Sequence, residues 1–207
     1  MHILVTDLLA CPRCGPEFGL ILRADELLDR RVIEGCLACA NCRTQYPVRR
    51  GFSDLRFPAS GPGFLEPLDA ENAREALRLG ALLGEGAGAR PVALVGEVAG
   101  QAGLLSGWLE GIELLALHAD LSEAVEREGI SRLGVGAGRL PLLSGSLGGV
   151  AVKGPAEVSF IRELARVLSP GSRLVCLEPG DGAGAEMEAA GLALGTMSAD
   201  GVVGVRK

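Results

Sequence analysis

Two Cys-x-x-Cys pairs, Cys11-Pro12-Arg13-Cys14 and Cys39-Ala40-Asn41-Cys42, lie 24 residues apart and constrain the fold of this chain more than any other feature. Each pair turns two thiolates toward a common point. Two such knuckles can place four sulfurs at the corners of a tetrahedron, the geometry of closed structural zinc sites. Four thiolates leave no coordination position for water or substrate, so the site implied is structural and not catalytic. Cys36 also stands in Cys-x-x-Cys spacing with Cys39, so counting alone leaves open a set that pairs Cys36 with Cys39 instead of Cys39 with Cys42. Residues 1–57 are too few to fold on apolar burial alone, and a structural zinc supplies ~10–16 kcal/mol of apparent binding energy on the scale of zinc-finger peptides.

Composition removes several function classes. No run approaches the ~18 apolar residues of a membrane helix, and no basic segment precedes a signal-peptide core, which points to a cytoplasmic protein without membrane contact. In that reducing compartment six cysteines favour metal over a disulfide framework. Charge is unevenly divided: residues 1–57 carry 8 arginines against 7 acids, and residues 58–207 carry 12 bases against 19 acids. Nucleic-acid binding leaves a basic footprint, and the larger part has none. Arg43, Arg49, Arg50 and Arg56 could face phosphates, or could pair with the acidic remainder of the chain or with a partner.

Residues 58–68, with three prolines and two glycines, read as a linker between a module at 1–57 and a second domain at 69–207. Asp69 offers an N-cap to a helix from Ala70 to Leu83, with Ala73, Leu77, Ala81, Ala76 and Leu83 as its apolar stripe. From Pro91 short aliphatic runs alternate with helical segments: Val92–Val95, Leu104–Leu109, Ile112–Leu117, Leu121–Glu128, Arg132–Val135, Val150–Val152, Glu157–Leu168 and Leu174–Leu177. That alternation predicts an α/β fold with a parallel sheet. A short helix near Ala185–Ala190 precedes Leu192–Met197 and Val202–Arg206, which read as a C-terminal β-hairpin across Ala199-Asp200-Gly201.

Leu8-Leu9-Ala10-Cys11-Pro12-Arg13-Cys14, with Cys39-Ala40-Asn41-Cys42 and the later Tyr46-Pro47-Val48-Arg49-Arg50-Gly51, resembles the small zinc-ribbon family that activates tRNA and other methyltransferases as a partner subunit. Where that family continues Ile-Pro-x-Leu-Leu, this chain has Phe52-Ser53-Asp54-Leu55-Arg56. The resemblance implies Cys11, Cys14, Cys39 and Cys42 as zinc ligands, with Cys36 a small apolar strand residue. It also implies that the ribbon extends another sheet by edge pairing, in cis on residues 69–207 or in trans on a methyltransferase or a second copy.

The run from Phe160 to Pro179, with its Arg166-Val167-Leu168-Ser169-Pro170-Gly171 turn, and the Gly138-Arg139-Leu140-Pro141 loop resemble the class I S-adenosylmethionine methyltransferase family. The resemblance spans residues 91–207 and implies a Rossmann-like sheet. It also gives each cofactor position a physical job. Gly96 and Gly100 keep the outer glycines of a Gly-x-Gly-x-Gly turn, while Val98 puts a side chain where the methionine moiety would pass. Leu94 stands at the acid of the first strand, and His118 at the ribose acceptor, where it cannot reproduce bidentate acceptance; Asp120 is two residues on. Gly136 and Gly148 stand at two further acidic positions.

His2 and His118 have no Ser or Cys beside them at a nucleophile turn, so hydrolase chemistry is disfavoured. Glu178-Pro179-Gly180-Asp181 puts two carboxylates at the sheet mouth, and Trp108 is expected in core or interface. The sequence thus predicts a zinc ribbon fused to a cofactor-impaired methyltransferase-like domain that works by protein association. The alternative is an active S-adenosylmethionine-dependent methyltransferase on RNA or a small molecule, with Gly96, Gly100, His118 and Asp120 around the cofactor.

Overall fold

The computed structural model describes residues 1–57, 69–84, 90–136, 138–198 and 201–207. The expected linker at 58–68 and most of the expected hairpin turn, Ala199-Asp200, lie outside them. Five strands come first: β1 (Ala10–Cys11), β2 (Gly15–Leu28), β3 (Arg31–Cys39), β4 (Gln45–Arg49) and β5 (Phe52–Asp54). They pair as an antiparallel meander. Then follow α1 (Ala73–Leu83), β6 (Val92–Val95), α2 (Ala102–Ser106), β7 (Leu114–Leu117), β8 (Ile130–Gly134), β9 (Leu147–Lys153), α3 (Val158–Val167), β10 (Leu168–Leu177), α4 (Ala183–Ala189), β11 (Leu192–Ser198) and β12 (Gly201–Arg206). All of them form one sheet, in the order β1-β2-β3-β4-β5-β8-β7-β6-β9-β10-β12-β11. β5 through β10 run parallel, and β12 enters antiparallel between β10 and β11.

The aliphatic runs explain this arrangement. Val92–Val95 and Leu114–Leu117 are buried at every position, as strands covered on both faces must be. Their side chains alternate between two cores. Val92, Leu94, Leu114 and Ala116 pack with Ala76, Leu79 and Leu83 of α1 and Leu105 of α2. Ala93, Val95, Leu115 and Leu117 pack with Ile161 and Leu164 of α3 and Met187 of α4. That second core continues without a break into Met1, Val5, Leu9, Val32, Leu37 and Cys39, so the antiparallel strands share a core with the parallel ones.

Three local expectations are corrected. α1 starts at Ala73, because the Asn72 side chain accepts from the Arg74 and Glu75 amides and caps it; Asp69 is engaged elsewhere. Its buried face is Ala76, Leu79 and Leu83, while Leu77 is 62% exposed; both stripes are apolar, and packing chose between them. Leu121–Glu128 forms no α-helix: a 3-10 turn, Ala119–Glu123, gives way to irregular chain. Trp108 lies in a turn after α2 and is half exposed, outside the core. No helix among the described residues is long and apolar enough to cross a membrane.

The seam between the two strand systems runs along β5 and β8, where Phe52, Ser53 and Asp54 register with Arg132, Leu133 and Gly134. Buried charge reinforces it. Arg31 donates to Glu126 at 2.6 Å, to Glu113 at 3.3 Å and to the Ile130 carbonyl. Arg132, 3% exposed, donates to Glu126 at 3.0 Å and to the carbonyls of Arg50, Leu121 and Ala124. The Met1 ammonium reaches Glu126 at 2.9 Å, and the exposed Arg50 pairs with Glu123. Arg56 closes on its neighbour Asp54.

Burial opposes ionisation of Glu126, but the Met1 ammonium and Arg31 outweigh it and hold its carboxyl below the ordinary range. A carboxyl lowered on folding adds its full stability above an unfolded value near ~4.3, and the contribution is lost as pH falls through the lower folded value. Glu126→Gln is expected to cost roughly 3 kcal/mol at neutral pH, because it leaves two buried guanidiniums without their carboxylate. It should also flatten the acid limb below the usual carboxylate range. Urea titrations across pH check both.

Candidate metal centre and cofactor cleft

Four cysteines meet at the far end of the antiparallel strands. Cys11 ends β1 and Cys14 occupies the turn into β2, released by Gly15 at φ +109°. Cys39 ends β3 and Cys42 sits in the turn that follows, where Arg43 donates its amide to the Cys39 carbonyl at 2.9 Å. Their sulfurs all lie within 4.8 Å of one another, with Cys11 to Cys42 at 3.7 Å and Cys14 to Cys39 at 3.8 Å. A tetrahedral zinc with Zn–S near 2.3 Å separates its sulfurs by roughly 3.8 Å, so the set fits the ion without rearrangement. Cys36 lies outside the cluster, its thiol toward the Leu37 carbonyl and Gln45 Oε1, which removes the alternative pairing.

Outer groups hold the sulfurs in place. The Cys14 amide donates to Cys11 Sγ at 3.4 Å, Asn41 Nδ2 donates to Cys14 Sγ at 3.3 Å, and the Tyr46 hydroxyl stands 3.4 Å from Cys11 Sγ. Thr44, 3.2 Å from Cys42 Sγ, is the chief cause that draws that thiol down to about 6. The amide of Asn41 pulls Cys14 the same way, yet desolvation and the neighbouring sulfurs push it up to about 12. Crowded thiols split their titration in this manner, and a bound cation would favour the thiolate at all four.

At the carboxyl ends of β6 and β9 lies a cleft of about 670 Å³, lined among others by Gly96, Glu97, Gly138, Lys153, Gly154 and Phe160. It sits where the chain order reverses about β6, the place open α/β sheets use for ligands. Gly96, at φ +75°, opens a 3-10 turn, Gly96–Gln101. The turn rotates Val98 into the core with Val92 and Leu94, fully buried, so Val98 does not stand in the path of a ligand as expected.

Residues 69–72 cross over this turn as a strap. The Asp69 amide donates to the Glu97 carbonyl at 3.1 Å. Gln101, with no exposed surface, accepts from the Asn72 amide and donates to the Ala70 carbonyl, both at 2.9 Å. Gly100 is needed because a Cβ there would collide with the Asp69 carbonyl oxygen. Asp69 reaches Lys153 Nζ at 3.1 Å, with Glu75 at 3.3 Å and Glu178 at 3.7 Å. Burial disfavours the Lys153 charge, but Asp69 and Glu75 outweigh it and hold the ammonium above its usual range. Glu178 takes φ +48°, a strained value for a non-glycine residue, at the mouth of the sheet.

The structure thus gathers Cys11, Cys14, Cys39 and Cys42. Gly96 and His118 follow Val95 and Leu117, the paired ends of the adjacent strands β6 and β7. Gly96 lines the cleft; Gly100 lies beneath the strap. His118 is fully buried, its Nδ1 accepting from the Asp120 amide at 3.1 Å. The Asp120 carboxylate is largely solvent-exposed; Asp54, hydrogen-bonded to Arg56, chiefly holds that guanidinium above its ordinary range, with Asp120 adding last. Leu94 is core, Gly136 follows β8 and Gly148 lies within β9. No carboxylate stands at Leu94, His118, Gly136 or Gly148, and none of these four offers the paired acceptor a ribose diol takes; Glu97 and Glu157 line the cleft itself. Sequence reasoning passed over Asp69 as a site group, Gln101 and Lys153. Their one signal is position, with Lys153 one of two lysines in the chain and closing a strand.

No protein-family model matches the sequence, and no curated protein matches it. Solved structures do. A SAM-dependent methyltransferase from Aquifex aeolicus is 17% identical, with 65% of this chain and 89% of that one covered at a TM-score of 0.50. The chain has a Rossmann-like methyltransferase fold. A complex between a Haloferax volcanii methyltransferase activator and a candidate methyltransferase aligns at 18% identity, 62% and 70% coverage and a TM-score of 0.49. The antibiotic-resistance methyltransferase Kmr aligns at 14%, 70% and 96%, and 0.47. In the frame of the methyltransferase fold, the strap and the Lys153 cluster lie at the end of the sheet that carries the glycine turn.

Cys39→Ser is expected to abolish zinc binding and the cooperative unfolding of the whole chain, since Cys11 and Cys39 share a core with Leu117 and Leu133; Cys36→Ser should keep the metal. Metal analysis with circular dichroism decides both. Gly100→Ala should destabilise by about 1–3 kcal/mol through displacement of the strap, read as a lower urea midpoint.

Proposed function

We propose that this chain is a zinc-stapled, methyltransferase-like scaffold that works by protein association and does not transfer methyl groups. In this reading zinc on Cys11, Cys14, Cys39 and Cys42 is structural, residues 1–57 form the ribbon, residues 69–207 form the scaffold, and the protein acts in the cytoplasm. The observation that carries the reading is His118: at the strand end where a ribose acceptor belongs there is a buried imidazole whose Nδ1 is already engaged by a backbone amide. Leu94, Gly136 and Gly148 point the same way.

The ribbon's mode of action follows from the seam. β5 adds to the free edge of β8 within one chain, so the edge pairing that the activator resemblance implies is made in cis. That edge is then closed to a partner methyltransferase in trans, and partners must use other surfaces. Nucleic acid is a poor partner: Arg50 and Arg56 are held by Glu123 and Asp54.

A second reading, an active methyltransferase on RNA or a small molecule, is favoured by one observation, the cleft of about 670 Å³ beside Gly96. Calorimetry separates the two. With S-adenosylmethionine raised to the millimolar range no saturable heat is expected, and micromolar affinity would install the second reading.

A further inference from the structure

At the opposite end of the sheet, by the amino ends of β6, β7 and β8, a groove of about 1100 Å³ serves neither the cysteine centre nor the glycine turn. One bank is the β2–β3 turn with the N-terminal 3-10 turn, Ile3–Leu8; the other is the segment 106–113. Apolar side chains line both. Leu4 is 55% and Leu28 62% exposed on the first bank, and Leu109 and Ile112, half-buried, line the second.

The apolar banks carry one sign of charge. Asp7, Asp29, Glu110 and Glu128 line the groove without an ion-pair partner among the described residues. Glu113 and Glu126 also face it but are held by Arg31, itself buried. Arg30 is the remaining guanidinium on the lining, and His2 uses Nδ1 to accept from the Leu4 amide. Asp29 and Arg30 form the β2–β3 turn at φ +46° and +64°, where glycine would be unstrained, so the first bank keeps charged side chains at its tip.

We propose that this groove docks a cationic amphipathic segment of a partner protein. Its apolar face lies on Leu4, Leu28 and Leu109, and its lysines or arginines face Asp7, Asp29, Glu110 and Glu128. Apolar anchors inside a rim of opposite charge are the pattern by which such helices are held. A second copy would bring its own net charge of −6 against this surface, and an anionic membrane would be repelled by it. The proposal rests on the association reading, which fails on cofactor binding; this one fails on a different titration.

The full zinc-loaded chain is titrated into a fluorescein-labelled Leu/Lys helical peptide of about 18 residues and into its Leu/Glu counterpart. A saturable rise in peptide anisotropy is expected with Leu/Lys alone, weakened roughly tenfold between about 50 and 500 mM salt. Leu4→Ser with Leu28→Ser, and separately Glu110→Lys with Glu128→Lys, should each weaken it by about tenfold while zinc content and melting stay as in the parent. No rise, an equal response to Leu/Glu, or full binding by both variants would overturn the proposal. A chain that sediments as a dimer without peptide would overturn it in favour of a second copy.

Discussion

Three residues of backbone ladder decide the character of this molecule. Phe52 to Asp54 lie parallel to Arg132 to Gly134, and through that short register an antiparallel meander becomes the margin of a parallel sheet. A parallel pair on its own is a weak bond between two bodies. Here it is fastened by two guanidiniums buried around Glu126, and every one of their links crosses or flanks the junction. With the seam closed those charges are out of water and must satisfy one another, and without β5 the margin of β8 would be an open edge.

The join also reorganises the hydrophobic interior. Met1, Val5 and Leu37 pack in the same core as Leu117, Leu133 and Leu164, so the cysteine cluster and the helices on that face share one interior. The opposite core, beneath α1 and α2, takes from the N-terminal meander only Phe52 of β5, and its other strand residues come from β6–β10 and Val203 of β12. The two faces of the sheet therefore differ in what they couple: one links cysteine ligands to α3 and α4, the other links the strap and glycine turn to the strand ends.

Much of this was legible in the sequence, and the failures have physical reasons. The four cysteines were readable as a set because a knuckle is local, and the structure brings their sulfurs together while Cys36 stands apart. Strands such as Val92–Val95 were readable because burial on both faces forces an uninterrupted aliphatic run. Docking in cis was not readable: Phe52 and Arg132 are 80 positions apart and nothing local in either marks the other. Val98 was misplaced because the 3-10 turn Gly96–Gln101 carries its side chain into the core, which glycine spacing alone does not reveal. The face of α1 was misread where Leu77 and Leu79 compete and only packing settles the contest. Gln101 was passed over because a neutral amide gives no signal until the backbone it clamps, 29 and 31 positions away, is in place.

The seam also orders events during synthesis. The first fifty-odd residues leave the ribosome well before Ile130–Gly134 exist, and domains tend to fold as they emerge. The meander would then wait with β5 already shaped, and the first parallel strand to form beside it would find a template in place of an open search. The slowest contacts in such a topology, those that close long loops, would be seeded by an edge laid down at the outset.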